Sequence, residues 1–187
     1  MTAGRWLDGA QLEAPVVAAV RNALQDVGVH ESPRGSNRGK QIDQYNKDSG
    51  SPLGSVWCAT ALASWLRRAG CWVPATSAGS CDKWVKDAKV AGRWIARPKG
   101  APIPKDIPIG AAVLYGSHTP FDASHCGLIV ISGGGYLVSC EGNTTTESAA
   151  YSESRNGLVV SLKDITAADP VLGFVLPKVL APKPSRV

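Results

Sequence analysis

The sequence predicts an α+β fold in which helices come first and an antiparallel sheet follows. Three observations predict it. Apolar residues recur at helical spacing up to about residue 91. After residue 92 short β-branched runs take over. The chain is also rich in turn formers, with 20 glycines and 13 prolines in 187 residues, well above the usual combined share of about 12%. Helices followed by strands, rather than alternating with them, is the α+β order.

The first helix is expected within 12–28, where Val16, Val17, Val20, Leu24 and Val27 share one stripe and Gly28 is a natural stop. Residues 31–39, ESPRGSNRG, are turn chemistry. A short helix through Ile42, Tyr45 and Asn46 follows and ends near Gly50. The third helix begins at Cys58, with Ala59, Leu62, Ala63, Leu66 and Ala69 on its buried stripe, Ser55 as expected N-cap and Gly70 as stop. A fourth runs from Cys81 to about Ala91 behind Ser80. Strands are expected at 111–115, 125–131, 136–140, 158–162 and 171–176, separated by Gly, Pro, Ser and Asn clusters. One domain, 1–176, accounts for these elements, and the Pro- and Lys-rich tail 177–187 is expected to be disordered.

With 44% hydrophobic and 19% charged residues, the composition is that of a globular protein. No apolar run approaches the roughly 18 residues of a membrane helix, so no stable membrane insertion is expected. Asp8 and Glu13 interrupt the N-terminus where a secretory signal needs an apolar stretch, so synthesis in a cytoplasm is expected. The net charge of +5 suits anionic polymers in general. Its lysines and arginines are scattered and not interleaved with aromatics, which argues against nucleic acid as partner.

The five cysteines, at 58, 71, 81, 126 and 140, form no Cys-x-x-Cys pair, and no histidine stands at zinc-ligand spacing. The segment before Cys58, SGSPLGSVW, has no acidic residue for calcium. No metal and no other cofactor is expected to take part in catalysis. Cys71 and Cys81 read as buried thiols.

A thiol becomes a useful nucleophile as thiolate, which a helix N-terminus and a nearby imidazolium both stabilise. Cys58 has the clearest helix-start position, although Cys81 also begins a helix. Of the three histidines, His30 and His118 lie in expected turns, whereas His125 opens the strand HCGLIVI, a rigid support for a general base. Glu141 and Asn143, in CEGN, close the next strand and would lie beside His125 if the two strands pair. Either can orient an imidazole. By alternation His125 and Glu141 share one face while Cys126 and Cys140 take the other.

The stretches GVHESPRGSNRGKQIDQY, SVWCATALASWLRRAG, HCGLIVI and CEGNT together resemble the CHAP family, the cysteine, histidine-dependent amidohydrolases/peptidases of phage and bacterial wall lysins, within the papain-like superfamily. The resemblance covers about residues 27–176. It implies a papain-like fold and a monomeric peptidoglycan hydrolase cutting amide bonds. In it Cys58 is nucleophile, His125 base, and Glu141, with Asn143, the holder of the ring. The Cys58 N–H would be one oxyanion donor, with Asn37 and Tyr45 as candidates for a second, and Trp57 would border the substrate cleft. Such an enzyme acts on the wall after release by a holin, as a phage endolysin or virion lysin, or after injection as an antibacterial amidase effector. Two other readings are a papain-like protease acting on protein and a non-catalytic wall-binding or structural module.

Overall fold

A computed structural model of the protein describes residues 12–118, 121–134, 136–145 and 157–180. Four helices, α1 (Ala14–Gln25), α2 (Lys40–Ser49), α3 (Cys58–Arg68) and α4 (Cys81–Val90), precede six strands. These are β1 (Trp94–Ala96), β2 (Ala112–His118), β3 (Phe121–Gly133), β4 (Tyr136–Thr144), β5 (Val159–Asp164) and β6 (Val171–Val175). They form one sheet in the order β1-β6-β2-β3-β4-β5, every neighbouring pair antiparallel. The architecture is α+β. Among the described residues, no helix is long and apolar enough to cross a membrane.

α3 is the hub. Its residues from Cys58 to Leu66 are all buried, so it has no solvent stripe until Arg67 and Arg68. That differs from the one-sided helix the spacing predicts. The reason is its neighbours: α1 and α2 pack on it from one side, and β3 and β4 from the other. Small side chains at Ala59, Ala61 and Ala63 permit such close packing. Several polar groups caught in this core find partners, although Glu31 Oε2 and Asn46 Nδ2 have none among the described residues. Asp26 accepts from the Tyr45 hydroxyl (2.7 Å) and from Trp65 Nε1 (2.8 Å). Thr60 donates to Asn46 Oδ1 (2.9 Å) and Trp57 Nε1 to Glu31 Oε1 (2.9 Å).

The sheet is apolar on both faces. One face meets the helices through Ala112, Leu114, Cys126, Leu128 and Cys140. The other carries a second core of Val113, Tyr115, Ile129, Val171 and Phe174, closed by Ile107 and Ile165 from the connecting segments. β2 and β3 run further than the apolar runs suggest, and His118, expected in a loop, ends β2. β1 is a short extra strand that pairs with β6.

Two expectations about ends need correcting. Ser55 does not cap α3; Trp57 occupies the N-cap position without a side-chain cap. The tail is not disordered from residue 177: Val179 bridges Cys71, Trp72 N–H donates to Lys178 O, and Leu180 N–H donates to Gly70 O at 3.0 Å. The rest of the expected tail, 181–187, lies outside the described residues, as does the N-terminal segment 1–11.

Candidate active site

Cys58 is the first residue of α3, and 4% of it is exposed. With no side chain capping the helix start, the field of the unpaired N–H groups there acts on what lies nearby, the Cys58 sulfur included. His125 and Glu141 come from the adjacent strands β3 and β4, 9% and 3% exposed. The two strands place Gly127 opposite Glu141, and Gly127 is small for a reason. A Cβ there would stand 2.6 Å from Glu141 Cγ. Gly142 likewise lets β4 approach α3, since a Cβ would meet Ala61 at 2.8 Å and the Trp57 ring at 3.0 Å.

A bulge aims the histidine. Tyr115 of β2 faces His125, but the next residue, Gly116, faces Ala123, leaving Ser124 as the extra residue in β3. The Tyr115 and His125 rings lie 5.8 Å apart, tilted by 32°. His125 Nε2 is 2.8 Å from Glu141 Oε2. The other carboxylate oxygen accepts from the Tyr115 hydroxyl (2.8 Å) and the Ser139 hydroxyl (2.5 Å). Glu141 is thereby fixed by three donors. Of the two candidates, Glu141 bonds the ring at Nε2. Asn143 lies two residues on, buried, within an irregularity in the β4–β5 pairing and with a left-handed backbone (φ 55°).

The electrostatics point to a thiolate–imidazolium pair. Hydrogen bonds from Cys126 and Cys81, then contact with His125, hold the Cys58 thiol well below the usual thiol range despite its burial. Burial acts against a charged His125. The Cys58 sulfur and Glu141 outweigh it and push the imidazole up to about 10. Burial likewise acts upward on Glu141, and the His125 charge and its three hydrogen bonds bring it below its ordinary value. Tyr115 is pushed well above the phenol range, by burial first and then by the Glu141 charge, so it stays a donor.

Cys81, first residue of α4, has its sulfur 4.0 Å from that of Cys58. The two helix starts converge there, and α4 is tied to β3 by Asp82, which accepts from Ala123 N–H at 2.8 Å. Position alone does not separate the two cysteines, but charge does. Cys126 acts downward on Cys81, yet the neighbouring Cys58 and burial outweigh it, and its thiol ends well above the usual range. Cys126 is raised too, by burial and by both neighbouring sulfurs. Local spacing shows no metal-ligand set, yet the fold brings Cys58, Cys81 and Cys126 within 4.8 Å of one another. Each comes from a different element, which is why no spacing pattern carries the signal.

Two expected site residues are enclosed in the core instead. Trp57 does not border a cleft: its ring is fully buried, stacked on Tyr45 at 6.2 Å and bonded to Glu31. Tyr45 is not an oxyanion donor, because it is fully buried and its hydroxyl is given to Asp26. Asn37 is half-buried in the 31–39 turn with a left-handed backbone (φ 53°), and its side-chain Oδ1 is buried with no hydrogen-bond partner among the described residues. That turn does run alongside the segment leading to Cys58, since a Cβ at Gly54 would lie 3.8 Å from Arg38. Tyr115 and Ser139 are the residues the sequence does not flag. Their only signal is the alternation that puts them on the His125 face.

No protein-family model matches the chain, and no curated protein does. Among solved structures, the crystal structure of Ly7917 is similar at a TM-score of 0.43 and 20% identity, over 87% of this chain and 62% of that one. The chain thus spans less than two thirds of that neighbour's length, and a likeness so distant carries no argument about fold or function.

Proposed function

We propose that this chain is a papain-like cysteine hydrolase that cuts amide bonds in peptidoglycan. One observation carries the catalytic half: a helix-start thiol, made more acidic by its neighbours, beside an imidazole whose Nε2 is bonded to a buried carboxylate. Nucleophile, base and orienting group are the parts that thiol acyl transfer requires. The substrate half rests on the resemblance of SVWCATALASWLRRAG, HCGLIVI and CEGNT to CHAP enzymes. The positive charge supports it, as wall polymers are anionic.

Cys58 Sγ attacks the amide carbonyl, and the Cys58 backbone N–H, at the start of α3, stabilises the developing oxyanion. His125 gives its proton to the leaving amine as the C–N bond breaks, which leaves a thioester. It then takes a proton from water, which attacks the thioester and releases the acid and the Cys58 thiolate. Glu141 holds the ring throughout, keeping Nε2 engaged so that Nδ1 serves the sulfur. The enzyme works on the wall side of the membrane, reached through a holin or by injection. The test is to incubate purified walls with the protein and with Cys58→Ala, then read turbidity and new termini by mass spectrometry. New amine and carboxyl ends with the parent alone are expected; no new ends with either protein would reject the reading.

A further inference from the structure

We propose that Cys58, Cys81 and Cys126 form a three-thiolate site for a thiophilic d10 metal ion, zinc(II) above all, and that its occupation silences the nucleophile. The sulfurs already stand within 4.8 Å of one another, with the Cys58–Cys81 pair at 4.0 Å. Tetrahedral zinc with Zn–S of about 2.3 Å sets sulfurs about 3.8 Å apart, so closing the site takes shifts of about 1 Å or less. Soft thiolates select such ions over calcium or magnesium. Three protein ligands leave zinc one position for an exogenous group.

The surroundings suit an anionic metal–thiolate centre. Cys58 and Cys81 each open a helix, of 11 and 10 residues, so two positive helix ends converge on the sulfurs. The alternative is that three small apolar residues merely pack together. Cys71 and Cys140 show what packing alone looks like: each is buried outside the trio, and the Cys140 thiol donates to Ala23 O. The trio instead gathers three sulfurs from α3, α4 and β3 at one point.

The binding site stands whether or not the chain hydrolyses walls; only the silencing rests on the proposed function. A sulfur whose lone pair is committed to a metal cannot attack a carbonyl, and removing the ion restores it.

The test uses the full, reduced chain and cadmium(II) as probe. One ultraviolet thiolate-to-cadmium band is expected to saturate at one equivalent, with a cadmium-113 resonance in the three-sulfur range. Cys81→Ser and Cys126→Ser should each weaken binding at least about tenfold, since even outer-shell changes cost that much. Cys71→Ala and Cys140→Ala should bind as the parent does. Absence of the band at stoichiometric cadmium overturns the site, as does a resonance typical of one sulfur. The band and the resonance are both read on the parent, so they decide the matter even where a variant fails to fold. If cadmium binds as expected but the parent never cuts walls, the site stands and the hydrolase reading fails. If the parent cuts walls and stoichiometric zinc leaves the rate unchanged, the silencing is overturned.

Discussion

At the residue scale, each group around His125 has a separable job. Removing the nucleophile by Cys58→Ser should abolish hydrolysis while the melting temperature holds, because the serine hydroxyl is far too weak an acid for a site tuned to thiolate. His125→Ala should lower the rate by about 10²–10⁴-fold, the usual worth of a general acid–base group. His118→Ala should be mild, as its Nε2 bonds the Arg97 carbonyl. Rates of the histidine variants on one wall preparation decide this, and equal losses at 118 and 125 would reassign the base. The pH profile carries a sign. The active form has Cys58 deprotonated and His125 protonated, so the alkaline limb falls as His125 loses its proton, near 10. Glu141→Gln removes a charge that holds the proton there, so that limb should move to lower pH while the fold survives. A limb that stays in place would show that Glu141 does not act on the imidazole.

At the element scale, two glycines set how closely β3, β4 and α3 approach. Gly142→Ala drives a methyl into Ala61 and the Trp57 ring, and should cost about 1–3 kcal/mol of stability by overpacking. Gly127→Ala presses instead on the Glu141 side chain. It should lose activity out of proportion to any fall in melting temperature. Thermal denaturation beside wall-digestion rates separates the two; matched losses in both variants would mean that Gly127 is only a packing site. The helices were readable from apolar stripes in α1 and α3, from Ile42 and Tyr45 in α2 and from the Ser80 cap of α4, and all four lie within a few residues of those expectations. The pairing of His125 with Glu141 was readable from side-chain alternation on neighbouring strands. What could not be read is what tertiary contact alone decides. Trp57 looks like a surface aromatic beside a nucleophile, yet Glu31 satisfies its indole from 26 residues away, which let the ring be buried. The three-sulfur cluster likewise spans α3, α4 and β3. The β3 bulge at Ser124 follows no turn signal.

At the scale of the whole molecule, charge and assembly give two further expectations. If the net charge of +5 draws the protein to wall polymers, digestion of intact walls should slow as ionic strength rises, since the screening length at 0.1 M salt is only about 10 Å. Hydrolysis of a small neutral peptide should change little, and equal sensitivity of both substrates would remove the attraction. Chelator treatment should leave the rate unchanged or raise it, because the thiolate–imidazolium pair needs no Lewis acid and the thiol trio binds metal to its cost. A fall restored by calcium would contradict this. The C-terminal segment has a consequence for engineering. Leu180 is pinned to Gly70, just past the C-terminal end of α3, whereas Cys58 is its first residue. Eleven residues at about 1.5 Å each separate the two ends by about 16 Å. Leu180 therefore marks a point about one helix length from the nucleophile, so a label or tether attached at that residue would leave Cys58 unobstructed.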